Sequence, residues 1–155
     1  MWMTLFIGVI GGLVATIIWA GIVLFVSTRR AAYFVGTYKM LDQYTEHPSG
    51  GVVRITYSRP RWYWKGLVDP TQILDVAAEH GTGKNRGTED WRGKVQVLGL
   101  SGAASGFYCY VNNQEGGTLL LRLRHNLGDD LGKEIIEDGT PNHGGEPFTK
   151  ILRRM

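Results

Sequence analysis

Arg54, Arg59, Arg61, Arg122 and Arg124 lie close in the chain to Trp62, Tyr63, Trp64, Tyr108 and Tyr110. Guanidinium groups grip phosphate through paired N–H bonds and aromatic planes stack on bases, so the combination suits a phosphorylated base such as a nucleotide. The residues taken as ligand-binding are Arg54, Trp62, Trp64, Tyr108, Tyr110, Arg122 and Arg124. Two other uses of the same side chains stand beside that one. Aromatics are ordinary strand residues, and Arg122 and Arg124 suit a solvated face or anionic lipid heads equally well. The segment Arg59 to Lys65, RPRWYWK, also fits a membrane interface, whereas Trp62 and Trp64 turned inward would be core anchors.

Other chemistry has less to work with. His47, His80, His125 and His143 are scattered, without an HExxH pair, and no metal-ligand spacing is visible. Cys109 sits in an alternating run with Phe107 and Val111 and is expected inside, as a small apolar residue. The loop HGTGKNRGTED, His80 to Asp90, contains Gly-Thr-Gly-Lys but lacks the GxxxxGK[ST] spacing, and reads as a surface loop. EDGTPNHGGEP, Glu137 to Pro147, reads as a turn, with Pro141 and Pro147 barring continuous pairing. Asp42, Glu46, Asp75 and Glu79 carry no catalytic spacing. The expectation is a non-enzyme with no cofactor and no metal. A net charge of +3 is too small for a genomic nucleic-acid patch.

The element that positions everything else comes first in the chain. No charge precedes Arg29, and residues 5–26, LFIGVIGGLVATIIWAGIVLFV, contain fourteen Leu, Ile, Val or Phe. As a helix they would span roughly 33 Å against a hydrocarbon core of about 30 Å. A cleaved signal would begin with basic residues and have a shorter apolar stretch, neither of which is present. Arg29 and Arg30 directly after the span place the N-terminus outside and the rest in the cytoplasm, as a single pass through the inner (cell) membrane. One cysteine agrees with a reducing compartment. Gly8, Gly12, Thr16 and Ala20 recur every four residues, a small-residue stripe of the kind through which membrane helices self-associate, so a homo-oligomer is expected. The division expected is a transmembrane helix over 1–28, a juxtamembrane linker over 29–32 and a folded domain over 33–155.

From Tyr33 the pattern becomes short alternating runs broken by Gly, Pro, Asn and Asp. Strands are expected at Tyr33–Leu41, Gly51–Ser58, Arg61–Val68, Gln72–Ala78, Trp91–Leu98, Gly106–Val111, Gly117–His125, Lys133–Glu137 and Phe148–Arg153, with Leu74–His80 ambiguous. Leu119, Leu121 and Leu123 share a face opposite Leu120, Arg122 and Arg124, and Val53, Ile55 and Tyr57 oppose Val52, Arg54 and Thr56. With 112–116 as a five-residue hairpin loop, Phe107, Cys109 and Val111 join the core, and Tyr108 and Tyr110 face out. The fold expected is an all-β small antiparallel barrel of about eight strands carrying an N-terminal transmembrane α-helix, with a β-sandwich as the alternative.

Phe34-Val35-Gly36-Thr37-Tyr38 resembles the opening strand of lipocalin-type barrels, in which an aromatic and a glycine pack across the barrel floor. The layout of membrane segment and compact barrel also resembles the membrane-anchored β-barrel effectors of bacterial cyclic-oligonucleotide (CBASS) anti-phage systems, with one membrane helix where that family typically has two. The resemblance implies antiviral defence: a barrel that binds a cyclic nucleotide and helices that assemble to disrupt the membrane. The other readings are a membrane-tethered scaffold for a protein partner and a lipocalin-like small-molecule binder. The helix stripe carries its own test. A Gly12→Ile chain is expected to associate more weakly in bilayers, measured as energy transfer between labelled copies; unchanged transfer would contradict the packing role.

Overall fold

The computed structural model describes residues 2–42, 45–47, 50–58, 71–81, 90–98, 102–112, 115–124 and 130–155, with side chains from Phe6 onward. Helix α1 runs without a break from Trp2 to Phe34. Nine strands follow: β1 Gly36–Asp42, β2 Thr45–Glu46, β3 Val52–Tyr57, β4 Ile73–Glu79, β5 Trp91–Val97, β6 Ala103–Tyr110, β7 Gly116–Leu123, β8 Glu134–Pro141 and β9 Phe148–Arg154. All pairings are antiparallel and run in chain order, and β1 joins β9, closing an eight-stranded barrel; β2 only extends the far end of β1. The expected barrel is therefore the fold, and the ambiguous stretch Leu74–His80 is strand apart from its last residue. The strand expected over Arg61–Val68 lies outside the described residues.

Alternation fills the interior. Val53 and Ile55 from β3, Leu74, Val76 and Ala78 from β4, and Leu119, Leu121 and Leu123 from β7 are all buried, as their spacing requires. Eight strands leave a lumen that side chains can fill, and these line it.

The beginning of the barrel departs from expectation. No linker separates helix from barrel: residues 29–32 are helical, and so are Tyr33 and Phe34, which had been expected to open the first strand. The reason is a change of partner along one helix face. From Phe6 to Trp19 every residue is exposed, yet Ser27, Ala31 and Phe34, at spacing i, i+4, i+7, are buried, the last two completely. The last two turns of α1 thus form part of the barrel's core.

Helix ends leave carbonyls without intrahelical donors, and here the barrel supplies them. The Tyr38 hydroxyl, from β1, donates to the Phe34 carbonyl at 2.8 Å, with the Tyr33 carbonyl at 3.2 Å. Burial pushes that hydroxyl's pKa up, against the nearby Arg154 charge, so it remains a donor. Arg154, paired with Tyr38 across β1 and β9, donates to the Val35 carbonyl and lies 5.6 Å from the Tyr38 ring centroid. Gly36 lies against it: a Cβ there would come within 2.9 Å of the guanidinium Nε and shift the arginine.

The rest of α1 is long and apolar enough to cross a membrane, with a mean hydropathy of 2.6 in its most apolar window. Gly8, Gly12 and Thr16 lie on its exposed surface and Ala20 is half-buried. The Thr16 hydroxyl bonds back to the Gly12 carbonyl at 2.8 Å, so it carries no unsatisfied donor into the apolar span.

Phe34→Ala tests whether the helix end belongs to the core. The expected loss is about 3–5 kcal/mol of barrel stability, as for other buried aromatic deletions, read by denaturant unfolding of the full chain in detergent. A loss below about 1 kcal/mol would mean that the barrel folds without it.

Candidate functional site

Among the described residues the interior is mostly apolar; Glu137 is completely buried, and His80, in phase with Leu74, Val76 and Ala78, is buried as well. Cross-strand partners share a face, so the register gives an inward row Ala104, Leu121, Glu137, Lys150 and, one step toward the remote mouth, Gly106, Leu119, Gly139, Phe148. Tyr108 and Gly117 follow. Gly139 makes the space that the Phe148 ring occupies: a Cβ there would overlap it.

Tyr108 is the hub of the aromatic group. Its ring centroid lies 5.6 Å from Trp91, 5.5 Å from Tyr110 and 6.0 Å from Phe148, the last two edge to face. Its hydroxyl is buried beside Tyr110. Burial first, then Tyr110 and the Glu137 charge, push its pKa up to about 12.

Glu137 is completely buried, and neither carboxylate oxygen has a hydrogen-bond partner. Burial raises its pKa to about 7; Lys150 opposes the rise and Asp138 adds to it. Lys150 is its direct cross-strand neighbour, but the ammonium lies over the Phe148 ring, 5.0 Å from the centroid, and makes no ion pair with Glu137. A carboxyl of this kind takes a proton, a cation or an N–H donor when one is offered.

The residues singled out from sequence do not form one site. Tyr108 and Tyr110 come together, yet Tyr108 points inward, where the sequence reading had it facing out, while Phe107, Cys109 and Val111, expected inside, are exposed. The physical reason is the parity of the hairpin. Tyr110 N–H bonds to the Glu115 carbonyl and Cys109 pairs with Gly116, so the connection has an even number of residues, where a five-residue loop had been expected. Changing parity moves every side chain of one strand to the other face.

Arg54 and Arg122 are exposed on the barrel's outer surface. Arg122 donates to Asp138 at 2.6 and 3.0 Å, and Arg124 to Glu134 at 2.7 Å, so both guanidiniums are engaged by carboxylates. Trp62 and Trp64 lie outside the described residues. Outside the barrel, exposed Phe107 lines a depression of about 480 Å³ with Ala77, Arg92, Lys94 and Cys109. His47 and His80, distant in sequence, meet edge-on at 5.7 Å. Among the described residues no three metal-ligating side chains cluster.

Sequence reasoning missed Glu137, Lys150, Trp91 and Phe148. The signal for Glu137 was its phase with Ile135, which alternation carries inward with it. Comparison with protein-family models, curated proteins and solved structures found no match.

Glu137 makes stability depend on pH in a defined direction. Its folded pKa of about 7 exceeds the ordinary 4.5, so the unfolded chain loses the proton first. Stability attributable to this group is full below about pH 4.5, falls as pH rises to about 7, and is then flat, a total of at most about 3 kcal/mol. Glu137→Gln is expected to remove that slope and to exceed the wild type at pH 8, measured by denaturant midpoints from pH 4 to 8. Parallel curves for the two proteins would contradict the buried state of the carboxyl.

Proposed function

We propose that this chain is a single-pass membrane protein whose β-barrel binds a small ligand and passes its bound state to the membrane helix. The observation that carries the reading is the unbroken run of α1 into the barrel, with Ala31 and Phe34 at 0% exposure in the core. A flexible tether would isolate the barrel from the bilayer, whereas a helix that completes the core moves with it. Arg29 and Arg30 favour a cytoplasmic barrel.

The ligand reading rests on Glu137, Tyr108 and Lys150. A nucleotide offers base N–H donors to the carboxyl and phosphate to the ammonium, and the surrounding rings supply stacking surfaces. A ligand that engages Glu137 and Lys150 together draws the ammonium off the Phe148 ring, so binding is accompanied by a change near the barrel mouth. Self-association through Gly8, Gly12, Thr16 and Ala20 gives that change an output: a ligand that binds the assembled form more tightly drives assembly. Membrane perturbation in antiviral defence is the effector reading of the same scheme.

A second reading, a scaffold for a protein partner, is favoured by one observation: Phe107 is 63% exposed beside its shallow outer depression.

Thermal unfolding of the full chain in lipid nanodiscs, against linear and cyclic nucleotides, separates the two. A ligand at a hundredfold its Kd is expected to add roughly 2.7 kcal/mol, and Lys150→Ala to weaken that effect. If no compound stabilises the chain while Phe107→Ala abolishes capture of a partner, the scaffold reading replaces the sensor.

A further inference from the structure

The membrane-side end of the barrel holds a second polar feature that the interior site does not use. A cavity of about 340 Å³ opens between Asp130, Lys133, Glu134, Arg153 and Arg154. Its place is set by the helix. Gly132, in the turn that bears Lys133, has φ 76° and abuts the last turn of α1: a Cβ on it would lie 2.7 Å from the Tyr33 carbonyl oxygen. Arg154 holds the adjoining Val35 carbonyl.

Depth follows from the same helix. Phe25 is 60% exposed and Ser27 is the first buried residue of the helix, so the hydrocarbon boundary lies near these residues. Tyr33 is about 12 Å further along the axis, at about 1.5 Å per residue, and the headgroup layer is roughly 5–8 Å thick. The cavity therefore opens just above the lipid heads, within the span of a lysine or arginine side chain.

Its charge suits an anion. Asp130 is held by Lys133 at 2.8 Å, and Glu134 by Arg153 at 2.9 Å and Arg124 at 2.7 Å. Partial burial raises the Glu134 pKa, but hydrogen bonds and charge from Arg153 and Arg124 hold it below the ordinary value, so it stays ionised. Three cations line the cavity against two carboxylates, and Arg124 adds a fourth from outside. Arg153 engages Glu134 through Nε, which leaves its terminal nitrogens available to a further acceptor.

We infer that this cavity takes the phosphate of an anionic phospholipid headgroup from the leaflet into which the barrel end faces. The inference rests on the membrane-spanning reading of α1. A bound headgroup would contact the same wall that holds Val35, and so would brace the junction through which barrel and helix are joined.

The test uses the full chain in nanodiscs of phosphatidylcholine with a minor fraction of phosphatidylglycerol, with lipid retained after transfer to detergent measured by native mass spectrometry. Retention of phosphatidylglycerol over phosphatidylcholine is expected, and Lys133→Ala with Arg153→Gln should reduce it about tenfold or more. Should the double variant unfold, Lys133→Glu alone, at an exposed position, gives the same test. Equal retention by the variants overturns the inference, as does loss only in Arg29→Ala with Arg30→Ala, which would assign the lipid to the helix. Displacement of the lipid by millimolar inorganic phosphate would make the cavity a soluble-phosphate site instead. Extraction of the chain from membranes by alkaline carbonate would contradict the membrane-spanning reading itself, a result distinct from any of these.

Discussion

The carbonyls of Tyr33 and Phe34 at the end of α1 and of Val35 just after it have no helical donor, and the way they are satisfied ties the apolar helix to the barrel. Tyr38 reaches two of them from β1 and Arg154 the third from β9. These are also the two strands whose pairing closes the barrel. Capping the helix and closing the sheet are thus one structural event, with Phe34 packed beneath it. A buried helix end without such partners would be costly, and a linker in its place would leave the barrel floor open.

Among the described residues of the closed barrel the interior is mostly apolar, and Glu137 is its completely buried acid. Most inward positions carry aliphatic or small residues, and Gly139 leaves the space that the Phe148 ring occupies. Into that setting β8 delivers a carboxyl with no hydrogen-bond partner, opposite a lysine that rests on an aromatic face instead. Leucine or methionine would fill the position at lower cost. A glutamate there leaves the barrel's stability sensitive to a proton or a donor group.

Much of the fold was legible in the sequence because it depends on local pattern. The apolar run, the alternation of Leu119, Leu121 and Leu123, and the turn residues between runs needed no knowledge of distant contacts. What escaped depended on register or on partners far along the chain. The face of Tyr108 turned on the parity of one hairpin, and both parities fit the composition of GFYCYVNNQEGG. The helical state of Tyr33 and Phe34 depends on Tyr38 and on Arg154, more than a hundred residues away. Glu137 was passed over because charge is ordinarily a mark of the surface, and only the phase of Ile135 argued otherwise. Arg54 on β3 and Arg122 on β7 were read correctly as outward, but the carboxylates that engage Arg122 and Arg124, Asp138 and Glu134, lie on β8 and were invisible in the sequence.

Amide hydrogen exchange across residues 27–36 of the full chain in nanodiscs tests the junction most directly. If α1 completes the barrel core, these amides exchange as slowly as those of β1 and β9 and are released with them when the barrel is destabilised by denaturant. Exchange of residues 29–32 within seconds, while the strands stay protected, would show a flexible tether, and the coupling of barrel to membrane would have to be abandoned.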